Sequence, residues 1–482
     1  MSGHARPSTF RRFWVPVALL IALGCDPHSA SAPPGGVQHQ PQETAALFAN
    51  AATSAVSIVR SELDFSQFAL WSQQLASVDG SIADRYGVDS AFVDATWNAL
   101  YGGPLQDIEQ ALRQAIAANE PHQVGSLLIL RAWAYANVTR MWGDAPFSGA
   151  NQGDAGTIAP SYDKQSAIYD ALLKDLAQSP QLMSAPGAGG FATNDPIYAG
   201  DATKWRRFAS SLRARLGLDL LKADANRAKA EVIAAIAAGG FTSNDDDAEI
   251  KWPGDGTNDS PWSRRVGARA DLRLSKTFID TLISLSDPRL GIFAQPSSLG
   301  GQYAGVPNGL SATQGASYTD VSSAPGTDVL RKDTPSVLMS FAEFSFIDAE
   351  AAERGWISGS AKQFYEDGIR ASLEKWGVAA ADINTYLALP RVQYAGGNAG
   401  LDQIALQKWI ALFTQGIDAW SEWRRTGEPA LQPVATAQTS PAAIPRRLPY
   451  PRSEASLNTA NLQAAITAQG GAGLGDHLWI DK

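Results

Sequence analysis

Residues 124–142 are apolar on nearly every side when they are drawn as a helix. Such a helix has to be enclosed by other elements, because an exposed face would leave apolar area in water. Gly143 ends the segment and Pro146 follows it, which is typical of a helix C terminus. The chain therefore needs enough further structure to surround this segment.

Most of the remaining sequence also has apolar residues at three- and four-residue spacing, which predicts further helices. The clearest patterns run over 204–222 and over 403–423. Trp205 and Trp409 lie on these apolar stripes, so we expect both to be core residues. Other helices are predicted at 44–60, 162–178, 275–286 and 337–376, the last broken near Gly355. The predicted fold class is mostly α.

Four long stretches lack helical periodicity and are polar, rich in Gly and Pro, and dotted with aromatic residues. They are 181–203, 239–270, 294–335 and 379–400. Long loops inside a compact domain are usually functional or disordered. We expect the ligand-binding residues to lie there.

The amino terminus has the layout of an export signal, with basic residues, an apolar run over 13–23 and then Gly24-Cys25. Eleven apolar residues are too few to cross a bilayer, which takes roughly 20 in a helix. No other stretch is long and apolar enough, so we expect no membrane span. Arg11-Arg12 leaves twin-arginine export open as an alternative, although the flanking residues fit it poorly.

Cys25 is the only cysteine of the 482 residues, which excludes a disulfide framework and a cysteine-based metal site. It resembles the lipobox cysteine of bacterial lipoproteins, which becomes the acylated first residue, although Ala22-Leu23 stand in reversed order. A plain secretory signal with an incidental thiol is the alternative. The sequence predicts a lipoprotein signal peptide (1–24), a flexible Pro-, Gly- and Ser-rich tether (25–43) and a folded domain (44–482).

The formal net charge of -9, with no basic stripe, argues against nucleic acid as a partner. Catalytic motifs are also scarce. Three of the five histidines lie in the signal peptide and tether, leaving His122 and His477, and no zinc-protease, nucleophile-elbow or phosphate-loop motif appears. A carboxylate pair for glycoside hydrolysis has no fixed sequence spacing, so an enzyme stays an alternative. We expect no enzyme activity and no cofactor.

Two acidic segments, 245–249 and 255–259, offer oxygen ligands of the kind a hard cation prefers. Neither follows the order of an EF-hand loop. We interpret them as solvated acidic loops and predict no metal site.

Seven charged residues lie on predicted helices that are rich in apolar residues: Arg131, Arg140, Arg213, Arg215, Glu343, Glu350 and Glu353. A buried charge is costly unless it is paired. We therefore predict interhelical ion pairs rather than a binding or catalytic role.

The segment 130–147, LRAWAYANVTRMWGDAPF, resembles the buried helix and turn of the SusD/RagB (SusD-like) outer-membrane nutrient-binding lipoproteins. Six further blocks follow in that family's order, at 162–176, 204–216, 287–310, 343–355, 407–427 and 448–482. Together with the lipobox-like cysteine, they extend the resemblance over most of residues 45–482.

The resemblance implies one helical domain in which helix pairs stack like tetratricopeptide repeats, with a loop-rich half that presents the ligand site. No 34-residue repeat is visible in the sequence itself. The resemblance also implies a protein anchored by lipid in the outer membrane and facing the cell exterior. Its partner would be a SusC-like TonB-dependent transporter, to which it delivers a glycan or other nutrient oligomer, either oligosaccharide or peptide. A glycoside-hydrolase-type surface enzyme and a structural lid for the transporter stay open as alternatives.

Five residues are candidate ligand contacts. Trp252, Trp262 and Tyr303 lie in polar stretches without a helical packing stripe, and Trp71 with Gln73 lies early in the chain, near where relatives place contacts. Aromatic faces stack on sugar rings, while amide side chains hydrogen-bond hydroxyl groups.

Cys25→Ala should leave the chain without lipid and move it into the soluble fraction of lysed cells, because the acyl chains supply the membrane affinity. Ser29→Ala, in the same tether, is the control and should stay membrane-bound. If Cys25→Ala is held by membranes as firmly as the parent chain, the anchor assignment is wrong.

Overall fold

Helices predominate in the computed structural model, which describes Met1 and residues 43–153, 156–184 and 190–482. Cys25 and nearly all of the predicted signal peptide and tether lie outside the described residues, so those assignments stay predictions. The first helices are α1 (Thr44–Ile58), α2 (Ala69–Trp71), α3 (Ser90–Tyr101), α4 (Pro104–Ala117), α5 (Pro121–Trp142), α6 (Gln165–Leu182), α7 (Ala202–Asp219) and α8 (Ala225–Ala237). Then follow α9 (Pro261–Arg265), α10 (Lys276–Leu285), α11 (Leu290–Phe293), α12 (Ala312–Gly315), α13 (Phe341–Glu353), α14 (Ala361–Lys375), α15 (Ala380–Leu387), α16 (Gly397–Ala411), α17 (Gly416–Thr426), α18 (Arg452–Leu457) and α19 (Thr459–Gln469).

Neighbouring helices along the chain pack against each other. α4 packs against α1 and α5, and then α6, α7 and α8 follow in sequence order, while α13 packs against α14 and α16. Such nearest-neighbour packing is the arrangement of stacked helical repeats. The predicted mostly α fold is confirmed. Among the described residues, no helix combines the length and the hydropathy that a membrane crossing requires.

α5 is the enclosed helix that the sequence predicts. Nearly every side chain from Gly125 to Trp142 is buried. The indole N–H of Trp133 donates to the carbonyl of Leu338 at 3.3 Å, which ties α5 to a strand far along the chain. α5 is therefore the axis around which the other helices pack.

Trp205 and Trp409 are core residues, as predicted, and neither is more than 1% exposed. Trp205 donates its indole N–H to a carboxylate oxygen of Asp195 at 2.6 Å. Trp409 donates to the carbonyl of Ser72 at 3.0 Å. Both side chains thus satisfy their one polar group while they fill the core.

Two short antiparallel strand pairs join the loop-rich segments to the helices. They are β1 (Leu75–Ser77) with β3 (Leu272–Leu274), and β2 (Ala248–Ile250) with β4 (Ser336–Met339). Because β4 leads directly into α13, the β2 pairing holds part of the polar stretch 239–270 against the helix stack.

Several predicted boundaries are wrong. The 403–423 pattern is split into α16 and α17, the start of 337–376 is strand β4, and the predicted loop 379–400 contains α15. α3, α4, α8 and α19 have no predicted counterpart. The split before α17 has a tertiary cause, because a Cβ on Gly416 would lie 2.5 Å from the carbonyl oxygen of Asp64. That contact fixes the start of α17 against the segment after α1, and Thr414, with a φ of +77°, turns the chain between α16 and α17.

A buried cluster of charges joins four helical segments at the centre of the domain. Asp418, on the first turn of α17, accepts hydrogen bonds from Arg60 and from Arg140, the latter at 3.0 Å. Arg215 approaches the same carboxylate at 3.5 Å and also pairs with Glu343. We call Asp418 and the three arginines Arg60, Arg140 and Arg215 the Asp418 cluster. Its members come from the segment after α1, from α5, from α7 and from α17.

The predicted interhelical ion pairs are confirmed for six of the seven residues. The pairs are Arg131–Asp175, Arg140–Asp219, Arg213–Glu231, Arg215–Glu343 and Glu350–Arg425. The prediction is wrong for Glu353, which accepts hydrogen bonds from the Tyr394 hydroxyl and the Gly397 N–H instead. Glu353 lies near the end of α13, where chain from outside the helix stack reaches it.

Asp418→Asn should destabilise the domain by roughly 3–5 kcal/mol, because it removes the one carboxylate that three buried guanidinium groups share. Asp280→Asn, which breaks an exposed pair with Lys276, is the control and should cost well under about 1 kcal/mol. Chemical denaturation measures both. Equal losses would contradict a central role for Asp418.

The same cluster predicts a pH dependence. Burial alone would raise the pKa of Asp418, but Arg215, Arg60 and Arg140 together hold it well below the ordinary 3.8. Its contribution is therefore complete above that ordinary pKa and is lost as the pH falls toward the folded one. The parent protein should lose more free energy of unfolding between pH 4 and pH 2 than Asp418→Asn does.

Candidate functional site

An open groove of about 410 Å³ lies between α3, α4 and the chain that follows α5. Its polar lining includes Asn98, Gln106, Gln110, Arg113, Asn151, Gln152 and Glu454. We call it the amide groove, because five of these seven side chains are Asn or Gln.

The amide groove exists because α4 is packed on one face only. Leu105, Ile108 and Leu112 on α4 are buried. Gln106, Gln110 and Arg113 are spaced by four and three residues, so they share the opposite, outward face. The sequence therefore presents a row of polar side chains on a helix whose other face is fixed in the core.

Aromatic residues form the floor of the amide groove. The half-buried Tyr101 ring lies 4.6 Å from the Trp97 ring between centroids, and its hydroxyl donates to the carbonyl of Pro146 at 2.8 Å. Burial raises the pKa of Tyr101 well above its ordinary value, so this hydroxyl stays protonated. At one end of the groove, Glu454 accepts a hydrogen bond from Tyr162 at 2.6 Å. The groove thus offers a ring edge beside many uncharged hydrogen-bonding groups.

A second cavity of about 440 Å³ lies between β2, β4, α14 and the link from α16 to α17. We call it the inner cavity. Lys375 lies on its wall and donates to Asp247 at 2.6 Å and to Glu249 at 2.7 Å. Burial would lower the pKa of Lys375, but these two carboxylates outweigh burial and raise it. The ammonium group is therefore charged and already paired.

The interpretation of 245–249 as a solvated loop is wrong for its central residues. Asp246 and Asp247 are buried, and Asp246 pairs with Arg207 at 2.8 Å. In the other acidic segment, Asp255 accepts two backbone hydrogen bonds from its own turn, at 2.8 Å each. Within the described ranges, no group of three His, Cys, Asp or Glu side chains is arranged to hold a metal ion.

Two of the predicted ligand contacts are enclosed by the chain. Trp71 is 0% exposed, packs against Phe68 and Trp420, and donates to the carbonyl of Ala83 at 3.1 Å. Gln73 uses both ends of its amide within the protein, one of them on Thr277 at 2.9 Å.

The other predicted contacts lie nearer to the inner cavity or apart from both sites. Trp252 is 9% exposed and donates to Ser336 at 2.9 Å, and Trp262 is 3% exposed and packs against Phe413. Both indoles are therefore packed, because tertiary contacts supply the packing that the local sequence lacks. Tyr303 is partly buried against the core. Ligand contact by these residues stays a prediction.

A family model for SusD-like proteins, described as starch-binding and associating with the outer membrane, matches residues 37–451 of this sequence. The chain belongs to the SusD-like family. The family is thus one that binds glycan and associates with the outer membrane. No curated protein matches the sequence significantly.

Solved structures share the SusD-like fold over nearly their whole length. A chitin-binding protein is 27% identical, with a TM-score of 0.80 and coverage of 91% of this chain and 99% of its own. A chitin-binding SusD homologue from Flavobacterium johnsoniae is 24% identical, with a TM-score of 0.83 and coverage of 92% and 99%. A SusD homologue from Bacteroides uniformis is also 24% identical, with a TM-score of 0.80 and coverage of 92% and 100%. At 24% identity, the last two show the fold alone.

The sequence of this SusD-like chain did not lead us to predict the residues of the amide groove as ligand contacts. Their signal was the spacing of Gln106, Gln110 and Arg113, which places three polar side chains on one face of a helix. Reading that signal requires α3 and α4 to be recognised first. The groove also needs the chain after α5, which local sequence patterns do not place beside α4.

Trp262→Ala should lower the stability of this SusD-like domain by roughly 3–5 kcal/mol, because it removes a buried aromatic side chain. Trp356→Ala, at a partly exposed position, is the control and should cost less. Thermal unfolding gives the stability, and titration with oligosaccharide gives the affinity per folded molecule. An unchanged melting temperature with lost affinity would make Trp262 a ligand contact and not a core residue.

Proposed function

We propose that this protein is a cell-surface lipoprotein that captures a glycan oligomer in the amide groove and passes it to a SusC-like TonB-dependent transporter. The observation that carries the proposal is the match of residues 37–451 to a starch-binding, outer-membrane-associated family. The 27% identical relative, itself described as chitin-binding, supports a glycan as the ligand.

The chemistry of the amide groove suits a neutral sugar polymer. Each Asn or Gln side chain both donates and accepts, which matches sugar hydroxyl groups that do the same. The groove lies within the range of small-ligand sites, roughly 300–1,000 Å³. Ile158, on the rim, is 92% exposed and adds apolar surface for the C–H faces of sugar rings.

Delivery to a transporter requires capture that is readily reversed. A few hydrogen bonds and one ring contact on a wet surface favour micromolar affinity, which corresponds to about -8 kcal/mol. The lipid anchor on Cys25 would keep the protein at the membrane. The predicted tether of about 18 residues would have a root-mean-square span of roughly 23 Å as flexible chain, enough to let the domain reach a neighbouring transporter.

Gln106→Ala combined with Gln110→Ala should weaken oligosaccharide binding at least tenfold without changing the melting temperature, because both side chains project from the outer face of α4. Calorimetry against starch and chitin oligomers and a peptide panel measures the affinity. Gln463→Ala, an exposed amide on α19, is the matched control and should bind like the parent. Unchanged binding by the double variant would remove the groove from the proposal.

The same titrations separate the two rival functions. Mass analysis of recovered ligand should show oligosaccharide of the original length, whereas shortened products would favour a surface hydrolase. A protein that co-purifies with a transporter but binds no oligomer of the panel would favour a structural lid.

A further inference from the structure

The link between α16 and α17 has unusual backbone geometry and forms one wall of the inner cavity. Thr414 has a φ of +77°, in the left-handed region. A β-branched residue rarely adopts that conformation, because its side chain crowds the backbone. Phe413, Thr414 and Gln415 all line the cavity. Strained backbone of this kind collects at functional sites.

Contacts on both sides of the link hold it in this conformation. Trp409, in the last turns of α16, is fixed by its hydrogen bond to Ser72, and Ile417 of α17 donates its backbone N–H to Asp64 at 2.9 Å. Gly416 lies against the backbone of the same segment. Asp418, the residue after Ile417, is the centre of the Asp418 cluster. The ends of the link are therefore fixed, and the strain falls on the residues that face the cavity.

Two amide side chains on the cavity wall have an oxygen without a hydrogen-bond partner. Gln415 is 3% exposed, and its Oε1 accepts no hydrogen bond. Asn244 donates to the carbonyl of Ala371 at 3.0 Å, but its Oδ1 accepts none. Buried acceptors without donors cost free energy, and each one in a native protein calls for a reason. Terminal amide torsions are broad, so either group can turn its oxygen toward a ligand.

The charges of the wall narrow the chemistry of that ligand. The cations of the wall are already paired, Lys375 with Asp247 and Glu249 and Arg331 with Asp333, whereas Asp328 adds a further carboxylate that can accept hydrogen bonds. The unpartnered groups are acceptors, which require donors. The remaining wall includes Trp376 and Phe413, which favour an apolar face on the ligand. A sugar ring combines hydroxyl donors with a C–H face and carries no charge.

We infer that the inner cavity is a second ligand site, separate from the amide groove, which takes one neutral sugar ring, either a free sugar or the end unit of an oligosaccharide. This site does not depend on the groove. The inner cavity, at about 440 Å³, is within the volume range of small-ligand sites, and it is less open to solvent than the amide groove.

Calorimetry with glucose, N-acetylglucosamine and their disaccharides tests the second site in the parent protein and in two variants. Gln415→Met removes the acceptor at nearly constant length, and Ala411→Phe places a ring in the cavity. Both should weaken binding of the small sugars at least tenfold. The melting temperature of Gln415→Met should stay the same or rise, because a buried group without a partner is gone. Gln463→Met, at an exposed position of α19 outside both sites, is the control and should bind the small sugars like the parent.

Linear and cyclic glucans distinguish the two sources of the ring, because a cyclic glucan has no end unit. An end unit is supported if linear oligomers bind, if Gln415→Met weakens that binding, and if the cyclic glucan does not compete with them. A free sugar is supported if only the monosaccharide binds. The inference is overturned if no small sugar binds at millimolar concentration, or if binding survives both cavity variants. It is also overturned if Gln110→Met abolishes small-sugar binding, since the amide groove alone would then account for the binding of both small sugars and oligomers. Loss of polymer binding alone would affect only the proposed function.

Discussion

Three arginine side chains converge on the carboxylate of Asp418, and the positions of the central helices depend on that convergence. The arginines come from the segment after α1, from α5 and from α7. None of these guanidinium groups can lose its proton at any ordinary pH, so each needs an anion once it is buried. A single carboxylate at the start of α17 therefore fixes how four parts of the chain meet. It also fixes one end of the strained link that precedes α17.

The sequence predicted the fold best where one helix face or a whole helix is apolar. α5, α7 and α10 lie close to their predicted positions, and Trp205 and Trp409 are core residues. It failed where distant backbone decides the outcome. The apolar pattern over 403–423 is continuous, yet Gly416 packs against the carbonyl of Asp64 and the helix is broken there. No local pattern contains that contact, because its two partners are separated by most of the chain.

The binding surface was harder to predict than the fold. Trp262 was a candidate because its stretch of the sequence is polar, and Trp71 because it lies near where relatives place contacts, but Phe413 and Trp420 pack against them from distant parts of the chain. Burial of an aromatic residue in a long connecting segment depends on what the fold places above it. The amide groove shows the converse, because the chain after α5 closes over α4 and turns ordinary surface glutamines into the lining of a site.

The outward face of α4 has a consequence for how such a protein diversifies. A change at Asp418 removes a carboxylate that three buried arginines share, so it disturbs contacts at several distant positions at once. A change at Gln106 or Gln110 disturbs no core contact and needs no compensation. With the ligand held in the amide groove, as proposed, ligand preference would drift one residue at a time while the scaffold stays the same. Proteins that descend from one ancestor with this fold could in this way come to bind different polysaccharides, through single substitutions that each leave the protein folded.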